Sequence, residues 1–223
     1  SVTGGAKNCF ETALTYANER IQFKTPIARF GAIKHKLASM AIKVFASESA
    51  TYRVSGLIDN MVKAKIDEGI ASYEAKKIAA EEYAIECALL KVYGSETADY
   101  VVDEALQIHG GMGYSEEMPI ARGYRDSRIN RIYEGTNEIN RLLSTGMVLK
   151  RAMKGRLDMM NTAMMLQQEL MSGNTISNGQ ESHALAKAEN LLKLSKKAWL
   201  MVTGSAAQTL TTKMESEQEI MML

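Results

Sequence analysis

The sequence predicts an all-α fold, an antiparallel four-helix bundle followed by additional C-terminal helices. Only two prolines occur in 223 residues, and alanine, methionine, lysine and glutamate are abundant, so helix propensity is high along most of the chain. Apolar residues recur at spacings of three and four, which places them on one face of a helix, and alternating strand patterns are absent. The predicted helices are long and the breaks between them are short, which favours a bundle.

The first predicted helix covers residues 1–20 and ends near the segment KTPIARFG, because Pro26 disfavours the helical conformation at Thr25. A second helix begins at Gly31 and runs to about Glu68. Its buried face is predicted from apolar residues spaced by four, three and four: Ile33, Leu37, Met40 and Val44.

Gly69 ends the second helix, and a third is predicted from about Ser72 to Ile108. Gly94 lies inside it and marks either a kink or close packing. Two apolar stripes line this helix, first Ile85, Leu89 and Val92, then Ala98, Val101, Ala105 and Ile108. A window rich in glycine and arginine follows, and the next helix runs from about Thr136 to Lys150 with Ile139, Leu142, Leu143 and Met147 on one face.

The composition changes after Gly155, so we expect a bundle over residues 1–150 and a second helical unit over residues 156–223. The methionine-rich segment LDMMNTAMMLQQELMS is interpreted as core or a domain contact, and a promiscuous binding surface is the alternative. The polar segment GNTISNGQES predicts a loop. A helix is then expected from about residue 182 to residue 214, carrying Leu185, Ala188, Leu192, Trp199 and Val202.

The overall charge excludes some classes of partner. Lysine plus arginine number 27 and aspartate plus glutamate number 26, so no global field indicates nucleic acid or an anionic membrane. Cys9 and Cys87 lack metal-ligand spacing and are interpreted as core residues in a reducing compartment, and the three histidines form no metal motif either. The chain starts without methionine and no helix-capping or stop signal occurs at either end, so we expect a fragment whose first helix and C-terminal unit are truncated.

Glycines and arginines distinguish the window from Ile108 to Leu143. Gly110, Gly111 and Gly113 follow a helix, where a backbone without side chains can turn sharply and approach a ligand, although an elaborate helix C-cap explains them too. Arginines recur every three residues, and we interpret them as a salt-bridged face that packs on the bundle or on another subunit. They are Arg122, Arg125, Arg128 and Arg131.

Glu134 is the candidate catalytic residue in this window. It lies between Tyr133 and Gly135, where an irregular stretch meets a helix with Thr136 as its plausible N-cap. A carboxylate desolvated by Tyr133 and apolar packing is a stronger base and suits removal of a proton from carbon. The alternative is a surface glutamate favoured by the helix dipole.

Three segments resemble the C-terminal helical domain of the acyl-CoA dehydrogenases, in the same order and separation. They are YANERIQFKTPIARFGAIKHKLASMA (16–41), ALQIHGGMGY (105–114) and RDSRINRIYEGTNEINRLL (125–143). The resemblance covers about residues 1–150, and the helix FGAIKHKLASMA together with the tail makes it most similar to the very-long-chain subgroup. It implies a flavoenzyme that oxidises a fatty acyl-CoA to the trans-2-enoyl-CoA, and it implies that the N-terminal and middle β-domains lie outside this chain.

The resemblance also implies roles for particular residues. Glu134 is the base that removes the α-proton, its backbone N–H helps to polarise the thioester carbonyl, and Tyr133 and Gly135 lie beside the substrate. FAD is implied as the cofactor, with Arg20, Gln22 and Phe23 around its pyrophosphate and adenine. The segment Gln107, Ile108, His109, Gly110 and Gly111 contacts the same cofactor across a dimer interface, and Thr136 and Glu138 complete the nucleotide site. Lys24 and Glu138 stand where relatives usually have glycine and glutamine.

The implied partners are a fatty acyl-CoA, further copies of the chain in a homodimer or homotetramer, and an electron-transferring flavoprotein as electron acceptor. No nucleic acid is expected, and the balanced charge favours intramolecular packing of the tail over membrane contact. The expected compartment is the cytoplasm of a bacterium, or the mitochondrial matrix in a eukaryote. Two alternatives remain: a non-catalytic helical scaffold, for which Glu134 would have no use, and an acyl-CoA oxidase on the same fold.

Overall fold

The computed structural model describes residues 2–172, 183–210 and 217–222, and in these it confirms the all-α class. Its helices are α1 (Val2–Glu19), α2 (Gly31–Asp67), α3 (Ser72–Glu82), α4 (Ala84–His109), α5 (Gly111–Tyr114), α6 (Pro119–Ser127), α7 (Asn137–Met153), α8 (Met159–Met171), α9 (Ala186–Leu210) and α10 (Gln218–Met222). Single 3-10 turns cover Ile27–Arg29 and Arg128–Arg131. The predicted polar loop at residues 173–182 lies outside the described residues.

A small hairpin joins α1 to α2 and is the one strand pairing within the described residues. Strand β1 (Ile21–Gln22) pairs antiparallel with β2 (Thr25–Pro26). Phe23 and Lys24 form the turn, with φ of 51° and 66°. Two consecutive residues of positive φ are the requirement of the tight hairpin turn that follows the natural strand twist. The sequence did not predict this hairpin, because strands of two residues leave no alternating pattern.

Lys24 holds a backbone conformation that favours glycine, so we expect Lys24→Gly to stabilise the protein by about 0.5 to 1 kcal/mol. The matched control is Lys63→Gly at an exposed helical position about one turn before the end of α2, which should destabilise the protein by up to about 1 kcal/mol. Urea denaturation of both variants measures the difference. Equal destabilisation by the two glycines would contradict the conformational argument.

Successive long helices of the bundle run in opposite directions. Near the start of α1, Thr3 contacts Ser47 in the middle of α2, whereas Tyr16 near the end of α1 stacks on His109 at the end of α4. Lys36 near the start of α2 pairs with Glu104 near the end of α4. Therefore α2 is antiparallel to α1 and α4, which are parallel to each other.

Small residues let the bundle helices approach closely. A Cβ on Gly94 would make an ordinary van der Waals contact with the Ser47 hydroxyl at 3.7 Å, so α2 and α4 lie close together here, in keeping with close packing, one of the two predicted alternatives. The predicted face of the second half of α4 is buried as expected, and on α2 Leu37, Met40 and Val44 are buried while Ile33 is half-buried. The core cluster consists of Ala6, Ala13, Ala17, Leu37, Met40, Val44, Ala98, Val101, Ala105, Ile108 and Ile120.

Several predictions about helices were wrong. The third helix breaks at Tyr83 into α3 and α4, at a position with no proline or glycine to indicate it. Leu89 is exposed, although Ile85 and Val92 on the same stripe are buried. The glycine-rich window contains a further helix, α6, with Pro119 in its first turn, a position where proline is tolerated because the N–H has no partner in the helix.

Contacts group the chain into two compact units, residues 1–144 and 145–223. In the second unit α8 packs against α9, where Lys197 pairs with Glu169 at 2.6 Å, and Thr145 donates a hydrogen bond to the Met221 carbonyl at 2.7 Å. The predicted boundary between residues 150 and 156 stays a prediction. The apolar stripe predicted for the last long helix is mostly exposed in this chain, at Leu185, Leu192, Trp199 and Val202.

Two further findings concern function classes. No helix among the described residues is long and apolar enough to cross a membrane. In the same residues, no three histidine, cysteine, aspartate or glutamate side chains lie together in a way that could hold a metal ion.

Cys87 is exposed, so its interpretation as a core residue was wrong, whereas Cys9 is half-buried and burial raises the pKa of its thiol.

Candidate functional site

Glu134 lies on a left-handed turn immediately before α7. Its φ is 54° and that of Gly135 is 83°, so two successive residues adopt positive φ. A non-glycine residue in this region is uncommon and costs about 1 kcal/mol or more, and such residues concentrate at functional sites. The turn directs the chain from the 3-10 turn at Arg128–Arg131 into α7.

The carbonyl oxygen of Gly135 is held by two donors from different helices. Lys91 Nζ on α4 donates to it at 2.7 Å, and Asn140 Nδ2 on α7 donates at 2.9 Å. A Cβ at position 135 would lie 3.1 Å from Asn140 Nδ2. Gly135 is therefore required by its backbone conformation and by its close neighbour, in addition to the predicted role of leaving room for substrate.

A polar network attaches the start of α7 to α4. Asn137 is 4% exposed, and its side-chain amide donates to Ser95 Oγ at 3.0 Å while its Oδ1 accepts from Lys91 at 2.8 Å. Nearby, Arg141 Nη2 contacts both carboxylate oxygens of Glu96, at 2.9 and 3.1 Å. These contacts attach the first turns of α7 to α4.

The first turn of α7 is capped by its own residues. Ile139 N donates to Thr136 Oγ1 at 3.3 Å, which confirms Thr136 as the N-cap. The pKa of the Glu138 carboxyl is lowered by hydrogen bonds from the Glu138 backbone N–H and from the Thr136 hydroxyl. The positive charges of Arg141 and Lys91 act in the same direction. Glu138 is thus a stably ionised carboxylate at the position where the resemblance implies a cofactor contact.

The Glu134 side chain is exposed in this chain, so the desolvated surroundings predicted for a base are not formed by the described residues. Its backbone N–H makes no hydrogen bond within the described part of the chain and is available to a ligand. Tyr133 beside it is 43% exposed, and its phenol O–H donates a hydrogen bond to Asn130 Oδ1 at 2.7 Å. Glu134 therefore combines an exposed carboxylate with a backbone N–H that has no hydrogen-bond partner among the described residues.

The predicted cofactor residues of the hairpin lie at the other end of α4. Arg20 and Gln22 are exposed, and Phe23 is 89% exposed at the tip of the hairpin. Phe23 meets Phe30 edge to face, with ring centroids 6.2 Å apart. An exposed cation and an exposed aromatic ring in one hairpin segment can bind a phosphate and stack on a planar base.

The Gln107–Gly111 segment divides into buried and exposed residues. Ile108 and His109 are buried, and His109 stacks on Tyr16 and contacts the Ala105 carbonyl through Nδ1 at 2.7 Å. The imidazole faces the bundle interior, so a ligand can meet His109 only through its backbone. Gln107, Gly110 and Gly111 are exposed.

The three glycines of this segment serve different purposes. Gly110 has a φ of 61° and a ψ of −142°, a conformation open mainly to glycine. A Cβ on Gly113 would lie 2.5 Å from the Leu106 carbonyl oxygen, so the fold itself requires glycine there. A Cβ on Gly111 would meet nothing within 4 Å. Of the three positions, only 111 could hold a larger residue without disturbing the fold. The space beside Gly111 is open to a ligand.

Within one chain, the Glu134 turn and the Gln107–Gly111 segment lie far apart. Lys91 contacts the Glu134 turn, and Gln107 lies 16 positions later on the same helix. With a rise of 1.5 Å per residue, the two points are about 24 Å apart along α4. The expectation that the Gln107–Gly111 segment serves a cofactor of the partner subunit in a dimer stays a prediction.

The predicted arginine face is only partly paired. Arg131 pairs with Asp99 on α4 at 3.2 Å, and Arg125 pairs with Glu116 at 2.8 Å. Arg122 and Arg128 are exposed, and neither has an ion pair within the described ranges. The interpretation as a salt-bridged packing face therefore holds for Arg131, which contacts the bundle.

Sequence reasoning missed the residues that hold the turn, namely Lys91, Ser95, Asn137 and Asn140. Lys91 precedes Gly135 by 44 positions, and its own helix reads as an ordinary amphipathic segment. The asparagines at positions 137 and 140 were a usable signal, because polar side chains one turn apart at a helix start commonly bond nearby backbone.

Comparison with known proteins identifies relatives along the whole chain. A family model described as acyl-CoA dehydrogenase, C-terminal domain, matches residues 1–149. A probable acyl-CoA dehydrogenase of Bacillus subtilis is 46% identical over 220 residues, which is 98% of this chain and 36% of that protein. The crystal structure of a Bacillus anthracis acyl-CoA dehydrogenase complexed with FAD superposes with a TM-score of 0.94 at 48% identity, covering 99% of this chain and 37% of that one.

The very-long-chain specific acyl-CoA dehydrogenase of Macaca fascicularis matches less of the chain. It is 39% identical over 142 residues, which is 64% of this chain and 19% of that protein. The assignment of the tail to the very-long-chain subgroup gains only weak support from this match. The chain spans a little over a third of the length of the Bacillus relatives that match it throughout.

Proposed function

This chain belongs to the acyl-CoA dehydrogenase family, and from that premise we propose that it forms the C-terminal part of an FAD-dependent enzyme that converts fatty acyl-CoA thioesters to trans-2-enoyl-CoA. The observation that carries the proposal is the Glu134 turn, with its strained backbone, exposed carboxylate and unpaired N–H. Such a turn, held by donors from two helices, suits a carboxylate that must meet a substrate at a defined position.

In the proposed reaction, the Glu134 carboxylate accepts the proton that leaves the α-carbon of the thioester. Its backbone N–H donates a hydrogen bond to the thioester carbonyl oxygen, where negative charge develops as the proton departs. Tyr133 and Gly135 flank the acyl group, and the small size of Gly135 keeps space beside the carboxylate. When bound, FAD supplies the acceptor for the hydride that leaves the β-carbon.

The residues at the hairpin end fit an FAD. The exposed Arg20 guanidinium suits the pyrophosphate, and Gln22 and Phe23 provide an amide and an aromatic ring for the adenine. The open space above Gly111 and the exposed Gln107 suit the cofactor of a partner subunit, with Ile108, His109 and Gly110 contributing backbone only. Thr136 and Glu138 complete the nucleotide site from the start of α7.

The proposed assembly is a homodimer or homotetramer that passes electrons to an electron-transferring flavoprotein. The separation of about 24 Å along α4 between the Glu134 turn and the Gln107–Gly111 segment supports a site shared between two copies. The relatives from Bacillus support the cytoplasm of a bacterium as the compartment. The N-terminal and middle domains of the family would supply the desolvation that Glu134 lacks in this chain.

The experiment is anaerobic titration of the purified full-length gene product with saturated acyl-CoAs of graded chain length. We expect stoichiometric FAD, bleaching of the flavin absorbance, and a product lighter by two hydrogens. A colourless protein would instead favour the scaffold, and hydrogen peroxide released in air at the rate of turnover would favour the oxidase. Residues 1–223 alone should bind FAD weakly or not at all, and stoichiometric flavin on that fragment would contradict this expectation.

A further inference from the structure

The hydrogen-bond partners of the Lys91 ammonium are neutral oxygens. Its half-buried ammonium donates to the Gly135 carbonyl and to Asn137 Oδ1, and within the described residues it has no carboxylate partner. Glu96, the nearby acid on the same helix, pairs with Arg141 instead. The Lys91 charge helps to lower the pKa of the Glu138 carboxyl, yet the two groups form no ion pair among the described residues. Removing an ammonium from water is costly, so holding it against two neutral oxygens indicates a role beyond attaching two helices.

The attachment of α7 to α4 does not depend on Lys91. Asn137 bonds to the fully buried Ser95, and Arg141 pairs with Glu96, so two other contacts tie the same helices together. What Lys91 adds is a charged hydrogen bond to the Gly135 carbonyl, and such bonds are roughly twice as strong as neutral ones.

The Gly135 carbonyl controls the direction of the turn. Glycine has the least steric restriction of any residue, so an unheld Gly135 would leave the preceding residue free to reorient. The Lys91 and Asn140 donors reach this oxygen from two helices and define the orientation of its peptide plane. With Gly135 fixed, the left-handed backbone of Glu134 is held in one conformation.

We propose that Lys91 is a positioning residue for the dehydrogenation, holding the Glu134 turn through the Gly135 carbonyl. The inference rests on the proposed function, because it assigns Lys91 a part in the reaction of Glu134. A misplacement of about 1 Å at a reacting group can cost about 100-fold in rate, so a free turn should be visible in the chemical step.

The test is the single-turnover rate of flavin reduction per bound flavin, in the full-length protein carrying Lys91→Met. We expect this rate to fall by about 10- to 100-fold, with acyl-CoA affinity and FAD content within about threefold of wild type. An α-deuterated substrate should show an isotope effect at least as large as in wild type, because proton removal becomes slower. Counting rate per bound flavin removes any effect of lost folded protein.

Arg141→Met is the matched control, since it removes a cation from the same helix pair without touching Gly135. It should lower thermal stability while leaving the rate per flavin within about twofold. Asn140→Leu is the independent variant, since it removes the second donor to the same oxygen and should also slow flavin reduction. If Lys91→Met and Asn140→Leu both reduce flavin at the wild-type rate, or if Lys91→Met lowers only stability, the inference is wrong.

The outcome for Lys91 is separable from that for the proposed function. If Glu134→Gln is inactive and Lys91→Met is as fast as wild type, the positioning inference fails while the function stands. If Glu134→Gln retains the wild-type rate, the assignment of the base fails, and the inference about Lys91 fails with it.

Discussion

Glu134→Gln in the full-length protein should lower the rate of flavin reduction by an acyl-CoA by about 10² to 10⁴-fold, the range contributed by a positioned general base. Glutamine keeps the size of the side chain and the backbone N–H, but its amide cannot accept the α-proton. Substrate binding should therefore stay near the wild-type level. Stopped-flow absorbance of the flavin, with acyl-CoA in excess, measures the rate.

The control for this substitution is Glu117→Gln. Glu117 is also an exposed glutamate in the window between α5 and α7, but it lies outside the Glu134 turn. Its flavin reduction should match wild type within about twofold. Flavin bleaching that persists in Glu134→Gln at the wild-type rate would remove Glu134 as the base, whatever the reaction proves to be.

Gly113→Ala should cause the largest loss of stability, about 3 kcal/mol. The new Cβ would lie 2.5 Å from the Leu106 carbonyl oxygen and 2.8 Å from His109 Cβ. Both atoms are held by α4, and His109 is stacked on Tyr16, so neither can move without disturbing the bundle. Overpacking of this kind costs about 1 to 3 kcal/mol, and a clash with backbone lies at the upper end.

Gly111→Ala is the matched control for Gly113→Ala, because a Cβ there meets nothing within 4 Å. Denaturation of flavin-free protein should show its stability within about 0.5 kcal/mol of wild type. The same variant should bind FAD more weakly, because its methyl group occupies the space left for the cofactor. Equal stability of the two alanine variants would contradict the assignment of Gly113 to the fold.

Local patterns were sufficient to predict the helices that build the bundle. The spacing of Leu37, Met40 and Val44 predicts one buried face, and the structure buries all three. The same reasoning failed for Leu89, because a stripe shows which residues can share a face and does not show how far a neighbouring helix covers it. The break at Tyr83 has no local signal either.

The sequence by itself determined the all-α class, the family resemblance and the place of Glu134 in a recognisable motif, because each of these depends on residues close together along the chain. Only the tertiary structure decided that Gly113 is needed for packing, that His109 faces the interior, and that Lys91 holds the Gly135 carbonyl. The physical reason is that periodicity and motifs are local, whereas a hydrogen bond between residues 44 positions apart depends on the path of the folded chain.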